Sequence, residues 1–119
     1  MSIQLRGLHP EVRSRAELVL AWANRFGIRP IVTSGFRSFN QQAALRLRFE
    51  AGLSRFPANR PGDSAHNFGF AWDSVLPNHI HIIPGAEAWY KSVREFYGFN
   101  VPSNDDIHAE VPEWRRFKP

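Results

Sequence analysis

Between Ser64 and Asp73 the chain reads Ser-Ala-His-Asn-Phe-Gly-Phe-Ala-Trp-Asp, and this stretch constrains the fold more than any other. Phe70 to Leu76 has the length and composition of a strand, and period-two alternation puts Ala71 and Asp73 on one face. Gly69, just before it, lets the backbone turn tightly without a Cβ clash. A loop histidine, His66, is thereby delivered to the start of a strand that carries a carboxylate.

A second histidine stands near the C-terminus in Asp105-Asp106-Ile107-His108-Ala109-Glu110. Ile107 to Val111 is a predicted strand, and Asp73 and His108 side by side in one sheet would present their side chains from a rigid surface. The chain has no cysteine, so any metal must be held by His, Asp or Glu. Two imidazoles and one carboxylate with an open fourth position form the donor set of a catalytic zinc site. Such an ion keeps one net positive charge and lowers the pKa of its bound water toward about 7. Asp105 is the first choice as general base, with its neighbour Asp106 less favoured. Glu110 shares the strand face of His108 and is placed to steady a metal-binding ring. Each piece has an ordinary alternative: a satisfied strand histidine, or a polar turn at Ser103–Asp106. Their combination points to chemistry.

Around this core the pattern reads helix, strand, helix, strands, helix, strand, which predicts an α+β fold with a small, mainly antiparallel sheet and about three helices. His9-Pro10-Glu11 opens the first helix, with Leu8, Val12, Val19, Leu20, Ala23 and Phe26 at helical spacing until Gly27. Ile31 to Phe36 is a predicted strand. Ser38 is the expected N-cap of a second helix, with Gln41 in the capping-box position and an end near Gly52. Leu53 to Asp63 is too rich in Pro, Gly and Asn for regular structure. Ile80-His81-Ile82-Ile83 suggests another short strand. Ala86 to Tyr97 is a third helix burying Trp89, Val93 and Phe96. His79-x-His81 has the spacing that points both rings to one side of a strand, but no third ligand lies nearby, so a surface or packing role is expected.

Length favours one domain over 1–119. The formal charge of +4 comes from 13 Arg and 2 Lys against 11 acids. The arginines are scattered, with no basic run interleaved with aromatics, so no nucleic-acid surface is expected. No apolar stretch is long enough for a bilayer, and the N-terminus lacks a signal-peptide pattern. A soluble monomer made in the cytoplasm, with no membrane partner, is the expectation.

Ser-x-His-x-x-Gly-x-Ala-x-Asp followed by acid-x-x-His-x-Glu resembles the VanY-like zinc peptidases that cleave bacterial peptidoglycan. These are D-alanyl-D-alanine carboxypeptidases and L-alanyl-D-glutamate endopeptidases, with the fold of the amino-terminal domain of sonic hedgehog. Thr33-Ser34-Gly35-Phe36-Arg37-Ser38 with Gln41, and Pro61-Gly62-Asp63 before Ser64, extend the resemblance over roughly residues 8 to 114. The resemblance implies one Zn²⁺ on His66, Asp73 and His108, with Asp105 as base. It implies Arg37 in the cleft, holding a substrate carboxylate or the oxyanion, and Ser64 and Gln41 as substrate contacts. The substrate would be a peptidoglycan stem peptide. Asp at position 105, where carboxypeptidase members usually have Glu, tilts the choice toward cutting between L-Ala and D-Glu, while small size, positive charge and the lack of a signal-peptide pattern suit a phage lysin, released or virion-borne. Trp72 is bulkier than the family's usual aliphatic residue, and Ala65 and Phe68 replace aromatics such as Tyr. A D-Ala-D-Ala carboxypeptidase or dipeptidase is the alternative enzyme, and a non-catalytic zinc-binding module the alternative of another class.

Overall fold

The computed structural model describes residues 3–119. Its elements run α1 (Pro10–Arg25), β1 (Ile31–Ser34), α2 (Phe39–Glu50), β2 (Ala71–Val75), α3 (Asn78–His81), α4 (Ala86–Phe96) and β3 (His108–Glu110). Short 3-10 turns lie at Ile3–Leu5, Ala65–Phe68 and Trp114–Arg116.

Local chemistry sets the helix starts. The His9 ring Nδ1 accepts from Glu11 N at 3.2 Å, capping α1, and Pro10 at the first helical position has no N–H to leave unpaired. Val12, Ala16, Val19 and Ala23 form the buried stripe of α1. Ser38 and Gln41 close a full capping box at α2: Gln41 N donates to Ser38 Oγ, and Ser38 N donates to Gln41 Oε1.

The sheet has the order β1-β2-β3, antiparallel throughout. Asp73 on the central strand is paired with Ser34 on one side and His108 on the other, while Ala71 opposes Glu110. Directly opposed residues project from the same face of a sheet, so Asp73, His108 and Glu110 emerge together. Trp72 and its partner Ala109 turn to the other face and are fully buried. That second face is the core side: Ser74 Oγ meets Tyr90 OH of α4 at 2.5 Å, and α1 packs on α4. An apolar groove of about 420 Å³ lined by Trp22, Trp89 and Phe96 lies between these two helices. None of its lining residues belongs to the predicted site.

Three expectations are corrected. Residues 80–83 do not form a strand. Pro77 O accepts from Ile80 N and His81 N at 2.9 and 2.8 Å, making the single helical turn α3. Both edges of β2 are already taken by β1 and β3, and Pro77 fixes a φ suited to a helix start. His79 and His81 are consequently about 200° apart around a helix rather than on one side, and His81 pairs with Glu87. Phe96, expected to be buried, is 81% exposed, and Phe26, the last residue of the α1 pattern, is 59% exposed. The inward face of α4 is Ala86, Tyr90, Val93 and Arg94 instead, with Trp89 only partly buried.

Gly69 holds the entrance to β2. Its φ is 75°, and a Cβ there would lie 2.6 Å from His9 N, whose N–H donates to Gly69 O at 3.1 Å. Gly52 has a similar φ of 73° with nothing within 4 Å, so it isolates the backbone term. Gly52→Ala is expected to cost about 1 kcal/mol, and Gly69→Ala about 3 kcal/mol, because backbone must also move. Urea unfolding measures both; equal costs would contradict the tight approach of Gly69 to His9.

Candidate metal centre

Three elements deliver the donors. His66 comes from the 3-10 turn that leads into β2, Asp73 from the middle of β2, and His108 from the first residue of β3. One donor atom from each lies within 4.8 Å of the other two. Asp73 Oδ1 is 3.3 Å from His66 Nε2 and 3.1 Å from His108 Nδ1.

The far nitrogen of each ring is already committed. His66 Nδ1 lies 2.7 Å from Gly35 O; a carbonyl can only accept, so this nitrogen carries a proton and Nε2 is the atom that faces Asp73. His108 Nε2 is 2.7 Å from Glu110 Oε1, which leaves Nδ1 as the metal-facing atom in the same way. Both rings thus have their tautomer set by a neighbour, the usual condition of a metal-binding histidine. The donor set therefore fits a zinc ion in chemistry and in spacing.

Arg37 closes the other side of Asp73. Its Nη2 is 3.2 Å from Asp73 Oδ2, and its Nε donates to Ser34 Oγ at 3.2 Å. Its backbone N–H donates to His66 O at 3.0 Å. The loop after β1 and the His66 turn are therefore one unit. Asn67, which sequence reasoning assigned no role, locks that unit: its Nδ2 donates to Arg37 O and its Oδ1 accepts from Gly62 N. A place beside His66 is the only sequence signal for Asn67.

Burial alone would push the Asp73 carboxyl up, but hydrogen bonds and charge from His108 and His66 overcome it and hold it below the usual carboxylate range. Burial would lower His108, yet hydrogen bonds to Asp73 and Glu110 and their negative charge raise it to about 9. Asp105 is exposed on the loop before β3 and feels the charge of His108, Asp73 and His66. Partial desolvation pushes its carboxyl up, opposed by the pull of His108 and reinforced by the charge of Asp73. A carboxylate with its proton affinity raised beside a candidate metal site has the chemistry of a general base.

The two remaining sequence candidates have structural tasks. Ser64 is buried, and its Oγ accepts from His66 N at 3.3 Å, capping the turn that aims His66. Gln41 is exposed, and its hydrogen bonds among the described residues are those of the α2 cap. Ser64 touches the backbone of His66, and neither residue is bonded to the side chain of His66, Asp73 or His108. Residues that sequence reasoning missed altogether, Tyr90 and Arg94, lie beneath the sheet.

A sheet-borne His-Asp-His set flanked by a carboxylate and an arginine is the equipment of a mononuclear metal-dependent hydrolase. The VanY family, D-alanyl-D-alanine carboxypeptidase, matches residues 5–109, and the chain belongs to this family of peptidases. It is 37% identical over 70 residues to the peptidoglycan L-alanyl-D-glutamate endopeptidase CwlK of Bacillus subtilis (strain 168), covering 58% of this chain and 42% of CwlK. The chain thus matches less than half the length of that relative. The crystal structure of DacB from Streptococcus pneumoniae D39 is similar with a TM-score of 0.70 at 20% identity, covering 97% of this chain and 73% of DacB. The vancomycin resistance D,D-pentapeptidase VanY from the VanB-type cassette, solved as an E175A mutant with Zn(II), gives a TM-score of 0.67 at 19% identity, covering 91% and 74%. The fold is that of these peptidases.

In the metal-free protein the two central groups act oppositely with pH. His108 binds its proton more tightly folded than unfolded, so its stabilisation is complete below about pH 6.5 and is lost as pH rises through about 9. Asp73 is more acidic folded than unfolded, so its contribution is present above the ordinary carboxylate range and lost as pH falls below it. Thermal melts in EDTA should therefore show a midpoint that declines between about pH 6.5 and pH 9.5. His108→Ala should remove that decline. An unchanged decline in the variant would contradict the assignment.

Proposed function

We propose that this chain is a zinc peptidase domain that hydrolyses peptidoglycan stem peptides between L-Ala and D-Glu. The observation that carries the reading is the convergence of His66, Asp73 and His108 on the sheet, with Arg37 bonded to Asp73 and Asp105 close enough to feel the charge of His108, Asp73 and His66. The choice of bond rests on Asp105 in place of the Glu usual in carboxypeptidase members, and on the 37% identity to CwlK.

His66, Asp73 and His108 would hold the ion, and zinc, when bound, supplies Lewis acidity that acidifies water and polarises a carbonyl. Asp105 takes the proton of the attacking water and delivers it to the leaving amine nitrogen. Arg37 spends Nε on Ser34 and Nη2 on Asp73, and no protein group is bonded to Nη1 among the described residues. That N–H edge holds a substrate carboxylate or stabilises the developing oxyanion. Glu110 keeps the proton on His108 Nε2 and so keeps Nδ1 available. No described helix is long and apolar enough to cross a membrane.

The family description favours a second reading, removal of the terminal D-Ala by a carboxypeptidase. Mass spectrometry of a muropeptide digest separates them. Cleavage between L-Ala and D-Glu is the expected result, and release of free D-Ala without that cleavage would sink the endopeptidase assignment.

Asp105→Asn should lower kcat about 10²- to 10⁴-fold with zinc content unchanged. His108→Ala should lose zinc and activity together. EDTA should abolish hydrolysis and added Zn²⁺ restore it. Metal analysis alongside the digest checks all three, and hydrolysis that survives both EDTA and His108→Ala would overturn the zinc mechanism.

A further inference from the structure

Arg94 projects from α4 into the core and is 1% exposed. No Asp or Glu lies within ion-pair distance of it among the described residues. Its guanidinium donates from Nη1 to Asp106 O at 2.8 Å and from Nε to Tyr90 O at 3.4 Å, and its central carbon is 4.2 Å from the Tyr90 ring centroid. Burying a cation without a counter-ion is costly, and an apolar side chain of similar volume would fill the space without that cost. Packing alone is thus a poor account of an arginine here.

What the guanidinium adds is a rigid donor at one backbone oxygen. Three consecutive carbonyls of this loop are each held from a different direction. Asp105 O accepts from His108 N at 3.1 Å and Ile107 O from Ser74 N at 3.0 Å, while Asp106 O takes Arg94. Only the middle anchor is a side chain. The exposed Asp105 carboxylate has no hydrogen-bond partner among the described residues, so its direction is set by this backbone. One helical turn earlier, Tyr90 reaches Ser74, the neighbour of Asp73. The same face of α4 braces the central strand beside a metal donor and the loop beside the base.

We propose that Arg94 is a positioning residue for Asp105, acting through the Asp106 carbonyl. The base role rests on the peptidase reading above, whereas the anchoring of the loop does not. Arg94→Met keeps the volume and removes the donors; Arg94→Lys keeps a charge and one donor. In EDTA-treated protein, hydrogen exchange of residues 102–107 should quicken about tenfold in Arg94→Met, with β2 still protected. In the zinc-loaded protein kcat should fall about 10- to 100-fold, with KM and zinc content unchanged, and Arg94→Lys should recover part of the loss. A purely structural role would instead lower the melting temperature and zinc content along with activity. If Arg94→Met does not fold, Arg94→Gln is measured in its place against the same outcomes. Parental kcat and parental exchange over 102–107 in the variant would overturn the proposal. A parent protein inactive on muropeptides would overturn the peptidase reading, and the exchange measurement would still decide whether Arg94 holds the loop.

Discussion

The ionised carboxylate of Asp73, set in the middle of the central strand, is the constraint on which the rest of the structure depends. A carboxylate buried to this degree must be compensated by donors, and here the compensation comes from three separate parts of the chain. Arg37 follows β1, His66 precedes β2 and His108 opens β3. Satisfying one side chain therefore fixes the relative positions of both outer strands and two loops. The backbone bond from Arg37 N to His66 O and the two bonds of Asn67 then hold those loops together independently of the carboxylate.

The sheet divides labour between its faces. Period-two alternation sends Asp73, His108 and Glu110 one way and Trp72, Ser74 and Ala109 the other. The chemical face is exacting in hydrogen bonding, since Gly35 O and Glu110 decide which ring nitrogen of each histidine is free. The core face holds Trp72 against Phe99 and receives Tyr90 and Arg94 from α4. An error on the core face is transmitted to the chemical face within one residue, because Ser74 adjoins Asp73 and Asp106 adjoins Asp105.

Much of this was legible in the sequence because its signals were local. The Pro10 helix start, the Ser38–Gln41 capping box, the Gly69 turn and the alternation around Asp73 each depend on a few neighbouring residues. The signals that misled were apolar ones read without their partners. Ile80, Ile82 and Ile83 have strand propensity, but both sides of the preceding strand β2 are paired with β1 and β3, and Pro77 began a helical turn instead. Trp89, Val93 and Phe96 have helical spacing, yet the buried face of α4 is shifted toward Tyr90 and Arg94. Those two side chains combine apolar bodies with polar tips that find Ser74 and Asp106, contacts across 16 and 12 residues that no local pattern encodes. Asn67 was invisible for the same reason, since its partners Arg37 and Gly62 lie in other segments.

The two oxygens of Asp73 are not equivalent, and their difference explains how one arginine serves both structure and chemistry. Oδ1 faces both histidines, while Oδ2 faces Arg37. The geometry thus assigns Oδ1, with His66 Nε2 and His108 Nδ1, to a three-atom donor set, and gives Oδ2 to a fixed cation that keeps the carboxylate from turning. In the metal-free protein the protonated His108 supplies the positive charge that balances this carboxylate, which is why its affinity for a proton is high. A metal ion bound at Nδ1 would displace that proton. Arg37 is held by Ser34 Oγ and Asp73 Oδ2 rather than by a donor atom of the set, so its remaining N–H edge would not depend on that exchange. A substrate anion would meet a site whose binding edge is organised in advance of its chemistry.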